Sequence, residues 1–347
     1  MSCAGQSSHF ATENEFCATA APDNLPIEGG FCYLPTMTQS LVPSRSYLIV
    51  SPGRNEAQYM RRTLDSVIAQ TERPALWIIV DDGSTDESPE VLADYAARHD
   101  WIRVIRREDR GHRAVGPGVI EAFYAGLDTV ALSEFSYLCK LDLDLDLPEG
   151  YFAGLIDRME ADPRVGTCSG KTYYVDAAGR RISEKISDEM SIGASKFMRV
   201  ACFSQIGGFV REVMWDGIDC HKARMLGWKA VSWRDPDLAF EHLRPMGSSQ
   251  QNIYTGRRRH GYGQYYMGSD PLYFTATAIK KMAHPPYVLG GLATLQGYLG
   301  AWWRGEKQHG DADLRAFIRA YQREVLLRGK ARTVARIEAE RATLWRG

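Results

Sequence analysis

The chain lacks the cysteine and charge patterns that mark several large protein classes. Its seven cysteines form no Cys-x-x-Cys pair, and several lie inside apolar runs, as reduced, buried thiols of a cytoplasmic protein do. The formal net charge is -1, so the composition indicates no general nucleic-acid-binding surface. The N-terminus has no basic segment followed by an apolar one, which disfavours export by a signal peptide. We therefore expect a soluble globular protein in the cytoplasm.

The pattern of apolar runs predicts an α/β protein. Residues 1–45 are rich in Ser, Ala, Thr and Pro without periodicity, and we interpret them as a tail that is either poorly ordered or laid over the domain. From residue 46 onward, short apolar runs alternate with stretches of helical periodicity. This alternation predicts βαβ units and a mostly parallel sheet with helices on both faces.

Three of the predicted strands end in polar turns, at Ser51–Glu56, Asp81–Asp86 and Asp142–Asp146. Ligands of parallel sheets bind beyond the carboxyl ends of the strands. Turns are in general rich in Asp, Gly and Ser. This tendency explains the polar composition of each turn by itself, but it explains less easily why all three strand ends share it. We therefore expect the acids of these turns to share one crevice.

The third turn carries three alternating carboxylates, Asp142, Asp144 and Asp146. In an extended chain, residues two apart project from the same side. Clustered like charges are costly unless a cation neutralises them, and Mg²⁺ or Mn²⁺ with oxygen ligands does so well. The alternative is a solvated strand end with no bound ion.

Taken together, the motifs resemble those of the family 2 glycosyltransferases, over roughly residues 46–245. The resemblance rests on the following strings: Ser51-Pro-Gly-Arg-Asn-Glu56, Val80-Asp-Asp-Gly-Ser-Thr-Asp86, Lys140-Leu-Asp-Leu-Asp144, Gly207-Gly-Phe209, Trp215-Asp216 with Gly227, and His242. It implies a GT-A fold, which is a Rossmann-like, mostly parallel sheet between helices. It also implies an inverting enzyme that uses a nucleotide-diphospho-sugar.

The resemblance assigns donor and metal ligands. It implies that the donor nucleotide is bound by Pro52, Glu56, Asp81, Asp82, Lys140 and Asp142, and it leaves open which of the two consecutive aspartates touches the base. It implies that Mg²⁺ or Mn²⁺ is held on the donor diphosphate by Asp142 and Asp144, with His242 as a further ligand or as a structural residue. The preceding Lys140-Leu141 favours this pair over Asp144 with Asp146.

The resemblance also points to a catalytic base near the start of a helix. An inverting transferase needs a group that removes the proton of the acceptor hydroxyl. Asp216 occupies the matching position, but Trp215 stands where the family usually has Glu, so Asp219 remains an alternative. Trp215 itself is predicted either to stack on a sugar or to belong to the core.

The last third of the chain suggests a helical extension, residues 276–347, after a catalytic domain at 46–275. The basic stretch from Arg257 to Tyr266 is interpreted either as a mobile loop over the donor or as a solvated loop. Residues 285–303 contain no charge, so they are either a monotopic or re-entrant membrane element or a buried helix pair. With the basic residues that follow, the pattern favours peripheral contact of 285–346 with the cytoplasmic face of a membrane.

We therefore predict a hexosyltransferase-like enzyme that moves one sugar to a glycan or lipid-linked acceptor in cell-surface polysaccharide or glycoconjugate assembly. The resemblance to the family favours UDP as the nucleotide of the donor. The absence of a Gln-x-x-Arg-Trp string after His242 favours single additions. Two alternatives remain from the sequence. One is a phosphohydrolase of the haloacid-dehalogenase type, and the other is an inactive nucleotide-sugar-binding scaffold.

Overall fold

The computed structural model describes residues 45–111, 116–245, 253–283 and 286–346. Its strands are β1 Tyr47–Gly53, β2 Leu76–Asp81, β3 Ile102–Arg106, β4 Tyr137–Leu141, β5 Leu145–Asp146, β6 Val165–Ser169, β7 Thr172–Val175, β8 Arg181–Ser183, β9 Ser195–Arg199, β10 Lys229–Ser232 and β11 Phe240–His242. Seven of them form one sheet in the order β10-β6-β9-β4-β1-β2-β3. This sheet is parallel except for β9, which runs antiparallel to β4 and β6.

Helices cover both faces of this sheet. They are α1 Ala57–Ile68, α2 Ser88–Arg98, α3 Pro117–Leu127, α4 Tyr151–Ala161, α5 Val200–Gln205 and α6 Trp215–Met225, followed by α7 Ile253–Tyr266, α8 Pro271–Met282, α9 Tyr287–Trp303, α10 Ala312–Arg328 and α11 Lys330–Glu340. Successive residues of β1 point to opposite faces. Tyr47 and Ile49 join an apolar cluster with α1, α2 and α4, whereas Leu48 and Val50 join another with α3, α5 and α6.

A smaller sheet brings the chain around His242 back to the turn that follows β4. Its order is β5-β11-β7-β8, and β11 runs antiparallel to β5. The pairing sets His242 opposite Leu145, and the Leu243 N–H donates to the Asp144 carbonyl oxygen at 2.8 Å. This register, rather than sequence proximity, places His242 beside the acidic stretch.

Glycines allow α7 and α9 to pack at close range. A Cβ on Gly261 would lie 2.0 Å from the Thr294 carbonyl oxygen, and one on Gly297 would lie 1.9 Å from the Arg258 carbonyl oxygen. Both positions therefore require the absence of a side chain. The interpretation of Arg257 to Tyr266 as a loop is wrong, because the backbone of this stretch is helical and is held against α9.

These observations confirm the predicted α/β class, with its mainly parallel sheet and helical C-terminal part. The proposed tail at 1–45 lies outside the described residues except for residue 45. The proposed boundary between residues 275 and 276 falls inside α8, and the domain division stays a prediction. Among the described residues, no helix combines the length and the apolar character that crossing a membrane requires.

The close packing of α7 on α9 makes a testable prediction. Gly297→Ala places a methyl group against the backbone oxygen of Arg258, so we expect the free energy of unfolding to fall by about 1–3 kcal/mol, as overpacked sites do. Gly300→Ala on the same helix meets only the end of the Arg304 side chain at 3.1 Å, and it should gain up to about 1 kcal/mol from helix propensity. Urea denaturation of both variants measures the difference, and equal stabilities would contradict the packing.

Candidate active site

A cavity of about 670 Å³ opens at the carboxyl ends of β1, β2 and β4, where the sequence predicts the crevice. The predicted site residues that line it are Pro52, Glu56, Asp82, Lys140, Asp142, Asp144, Asp216 and His242. Asp81 and Asp219 are not among the described residues that line it. The size is in the range of small-molecule sites.

Side-chain hydroxyls join the first two turns at one end of the cavity. Ser84 Oγ accepts from the Asn55 N–H at 2.9 Å, and Ser88 Oγ accepts from the Glu56 N–H at 3.0 Å. Asn55 has a positive φ of 55° and returns a bond by accepting from the Thr85 N–H at 2.8 Å. The hydroxyl of Ser88, the first residue of α2, therefore orients Glu56.

The two consecutive aspartates of the second turn have different environments. Asp81 is buried, and its carboxylate accepts from the Ser84 N–H at 2.8 Å, which closes the turn. Asp82 faces the cavity, where it pairs with Arg107 at 2.7 Å and with Arg110. The geometry therefore leaves Asp82 as the carboxylate of this turn that a ligand can reach.

The first carboxylate of the acidic stretch is held by the lysine before it. Lys140 Nζ pairs with Asp142 and donates to the Gly193 carbonyl oxygen at 3.0 Å. Loss of solvent around the Asp142 carboxyl raises its pKa, and the Lys140 ammonium partly offsets this. The third carboxylate, Asp146 on β5, is not one of the described cavity-lining residues and pairs instead with Arg62 of α1 at 2.5 Å.

The second carboxylate, Asp144, is buried between two cations. Its Oδ2 accepts from Arg244 Nε at 2.6 Å and lies 3.4 Å from His242 Nε2. Burial alone would raise the pKa of Asp144, but the bonds from His242 and Arg244 outweigh it and lower that pKa to about 2. Burial would likewise lower the pKa of His242, yet Asp144 and Glu184 raise it to about 10.

The oxygens of Asp144 are used unequally. Oδ1 is buried and has no hydrogen-bond partner among the described residues. A buried carboxylate oxygen without a partner is costly and suits a cation. Hard carboxylate oxygens beside an imidazole suit Mg²⁺ or Mn²⁺ chemically, although within the described ranges no three His, Cys, Asp or Glu side chains already surround one point.

The two candidate bases on α6 are clearly separated by the structure. Asp216 lines the cavity, and a Cβ on Gly193 would lie 3.0 Å from its Oδ2. Asp219 is buried, and both its oxygens accept from Lys196 Nζ, at 2.7 and 2.6 Å. Burial raises the pKa of Asp219 to about 6, with Lys196 opposing it.

Trp215 belongs mainly to the core. Its ring is 8% exposed and packs on Phe209 with 4.6 Å between ring centroids. The ammonium groups of Lys140 and Lys196 lie 5.5 and 5.4 Å from the ring centroid, within the range of cation–π contacts. The ring therefore contacts two lysines with different partners. Lys140 pairs with Asp142, and Lys196 pairs with the buried Asp219.

Sequence reasoning missed three functional candidates. Glu184 pairs with His242 Nδ1 at 3.0 Å, and Lys196 holds Asp219 and donates to the Asp216 carbonyl oxygen at 2.8 Å. Arg259 lines the cavity from α7, and its buried Nη1 has no hydrogen-bond partner among the described residues. No local motif marks the first two, whereas Arg259 lies in the basic stretch singled out from the sequence.

Two curated relatives match parts of the chain. Glycosyltransferase GlyA of Streptococcus pneumoniae is 28% identical over 152 residues, which are 42% of this chain and 20% of that protein. Poly-beta-1,6-N-acetyl-D-glucosamine synthase of Staphylococcus aureus is 27% identical over 117 residues, which are 33% of this chain and 26% of that protein. The chain thus spans about a quarter or less of the length of these relatives.

A solved structure of a mannosyltransferase from Pyrobaculum calidifontis, in complex with GDP-Man and Mn²⁺, superposes with a TM-score of 0.45. It is 18% identical and covers 86% of this chain and 85% of its own.

The model of the family described as Glycosyl transferase family 2 matches residues 48–210. This segment contains all three polar strand ends, whereas Asp216, His242 and Arg244 lie beyond it. Residues 48–210 of this chain, which contribute Asp82, Asp142 and Asp144 to the cavity, therefore belong to glycosyl transferase family 2.

Proposed function

We propose that the chain is an inverting glycosyltransferase that moves one sugar from a nucleotide-diphospho-sugar to an acceptor hydroxyl. The observation that carries the proposal is the position of Asp216 beside Gly193. The carbonyl oxygen of Gly193 accepts from Lys140, and Lys140 pairs with Asp142. Gly193 and Lys140 thus connect a carboxylate that can act as base to the acidic stretch suited to the donor.

The donor nucleotide fits the end of the cavity near β1 and β2. Carboxylates of Glu56 and Asp82 can accept bonds from a base N–H or from ribose hydroxyls, and Pro52 offers an apolar wall. The Arg259 guanidinium, with its unbonded Nη1, suits the negative charge of a diphosphate. Burial lowers the pKa of Arg259, and an anion beside it would offset that cost.

Asp142, Asp144 and His242 would hold Mg²⁺ or Mn²⁺ in this site. Such an ion supplies charge neutralisation for the leaving nucleoside diphosphate. Asp144 would offer the ion its Oδ1, which has no hydrogen-bond partner among the described residues, and would keep Oδ2 for Arg244. A role for His242 as ligand requires it to give up a proton, because its two carboxylate neighbours favour the protonated form.

Asp216 is the proposed base. Its place in the first turn of α6 stabilises the ionised carboxylate through the helix dipole. Lys196 fixes this turn, because it binds the Asp216 carbonyl oxygen and the buried Asp219 at once. Asp219 therefore supports the position of the base and is not the base itself.

The broader role of the enzyme is proposed from its relatives. The names of two of them, a glycosyltransferase and a poly-beta-1,6-N-acetyl-D-glucosamine synthase, suit assembly of a cell-surface polysaccharide or glycoconjugate. UDP is the nucleotide we propose first, and a glycan or lipid-linked molecule is the proposed acceptor. The family match of residues 48–210 disfavours a phosphohydrolase, and the cavity position of Asp216 disfavours an inactive scaffold.

The roles of Asp216 and Asp219 can be separated by substitution. Asp216→Asn should lower kcat at least about a hundredfold, because general bases contribute roughly 10²–10⁴ in rate, and it should leave nucleotide affinity unchanged. Asp219→Asn should instead lower stability by about 3–5 kcal/mol, because it leaves Lys196 charged and buried without its partner. The measurements are nucleoside diphosphate release from the best nucleotide sugar of a panel, and urea denaturation.

An active Asp216→Asn variant together with an inactive, fully stable Asp219→Asn variant would contradict this assignment.

We further propose that α8 and α9 contact an anionic membrane surface. Large apolar side chains are exposed on both helices, among them Leu272, Ile279, Leu289, Leu292, Leu299, Trp302 and Trp303. Lys280 lies near the end of α8 and Arg304 follows α9, and residues 304–347 contain eleven Lys/Arg against six Asp/Glu. Basic residues beside exposed tryptophans and leucines suit the interface of anionic lipids.

Vesicle sedimentation tests this membrane contact. The chain should bind phosphatidylglycerol vesicles and bind phosphatidylcholine vesicles weakly. Leu299→Glu should reduce binding by about tenfold or more, since burying one such side chain contributes about 1.5–3 kcal/mol. Val175→Glu, at an exposed position of β7, serves as the matched control, and equal binding by both variants would refute the proposal.

A further inference from the structure

A second depression lies beside the segment that leads into Asp216. Its described lining residues are Glu212, Tyr262, Tyr266 and the loop from Arg304 to Lys307. It shares no described lining residue with the catalytic cavity. Nothing in the proposed donor chemistry uses these side chains.

The two depressions are neighbours along two shared walls. On one wall, Glu212 comes four residues before Asp216, and Val213 to Asp216 line the catalytic cavity. On the other wall, His260 of α7 lines the catalytic cavity and Tyr266 lines the second depression. Six helical residues span about 9 Å, so a short chain molecule could occupy both.

Helix α7 touches the dividing segment directly. A Cβ on Gly263 would lie 2.3 Å from Met214 Cγ, so only a residue without a side chain fits between the helix and the segment. Met214 has a positive φ of 66°, which is uncommon for a side chain of this kind. The segment between the two depressions is therefore packed directly against α7.

The second depression has the chemistry that recognises a saccharide. The rings of Tyr262 and Tyr266 stack with 6.4 Å between centroids and 29° between planes. Tyr262 donates to Glu212 Oε2 at 3.2 Å, and burial with the nearby carboxylate raises the pKa of Tyr262 to about 12. Sugar rings present apolar C–H faces for aromatic rings and hydroxyls for carboxylate and guanidinium groups.

The loop that completes the depression is tied to the same helix. The His309 N–H donates to the Tyr266 carbonyl oxygen at 2.8 Å, and the Tyr265 hydroxyl donates to the Glu306 carbonyl oxygen at 2.9 Å. Arg304 Nε pairs with Glu306 at 3.1 Å. Charged groups of both signs are therefore held opposite the tyrosine pair, which favours a polyhydroxylated ligand over one of uniform charge.

We infer that this depression binds a sugar of the acceptor, next to the hydroxyl from which Asp216 takes the proton. The inference rests on the proposed function, because it assigns the acceptor side of the same reaction. It makes Glu212, Tyr262 and Tyr266 determinants of acceptor specificity. The acceptor they select is a saccharide extending beyond the reacting residue.

An array of neutral and acidic oligosaccharides tests the inference, with the full chain saturated with UDP and Mn²⁺. The wild-type chain should bind a subset of the array, and Glu212→Gln and Tyr262→Ala should each weaken that binding about tenfold or more. Tyr287→Ala, at a 60% exposed tyrosine of α9, should bind like the wild type. Thermal shift with UDP and Mn²⁺ should give the same nucleotide affinity for all four proteins.

Unchanged oligosaccharide binding in Glu212→Gln and Tyr262→Ala would overturn the inference. It would also be overturned if the wild-type chain, saturated with nucleotide, bound protein or lipid but no oligosaccharide. Failure of the wild-type chain to bind any nucleotide would instead count against the proposed function. Glu212→Gln keeps the size of the side chain, so it also guards against misreading a folding defect of Tyr262→Ala.

Discussion

Asp144 is buried and ionised only because Arg244 and His242 neutralise it, and the rest of the site depends on this balance. Arg244 also bonds to Glu56 at 2.7 Å, so one guanidinium ties the turn after β1 to the turn after β4. His242 is in turn fixed by Glu184. Removing the Asp144 charge would take one carboxylate partner away from both His242 and Arg244, and breaking buried pairs in this way costs several kcal/mol.

The same principle explains why the carboxylates near the cavity differ in role. Asp82 is held by two arginines, Asp142 by Lys140, and Asp219 by Lys196. Asp216 forms no such pair among the described ion pairs, and it lines the cavity, which is why we propose it as the base. Partnering of the surrounding acids thus leaves one carboxylate available for proton transfer.

Much of this arrangement follows from the sequence. Parallel strands must bring their carboxyl ends together, so the three polar turns could be placed in one crevice without coordinates. The choice between Asp216 and Asp219 could not, because both lie in the first turns of α6 and only the lysine contributed by β9 distinguishes them. Helix α7 was missed because Gly261 and Gly263 weaken its helical signal, and its stability comes from packing against α9, which is distant in sequence.

The metal and donor site is the central claim, and calorimetric titration of the chain with a UDP-sugar, with and without Mn²⁺, tests it most directly. Asp144→Asn and Asp146→Asn form a matched pair, because both remove one acid of the same stretch but only Asp144 lines the cavity. We expect Mn²⁺-dependent binding in the wild type that is lost in Asp144→Asn and kept in Asp146→Asn. Loss in both variants alike, or tight binding by Asp144→Asn, would contradict it.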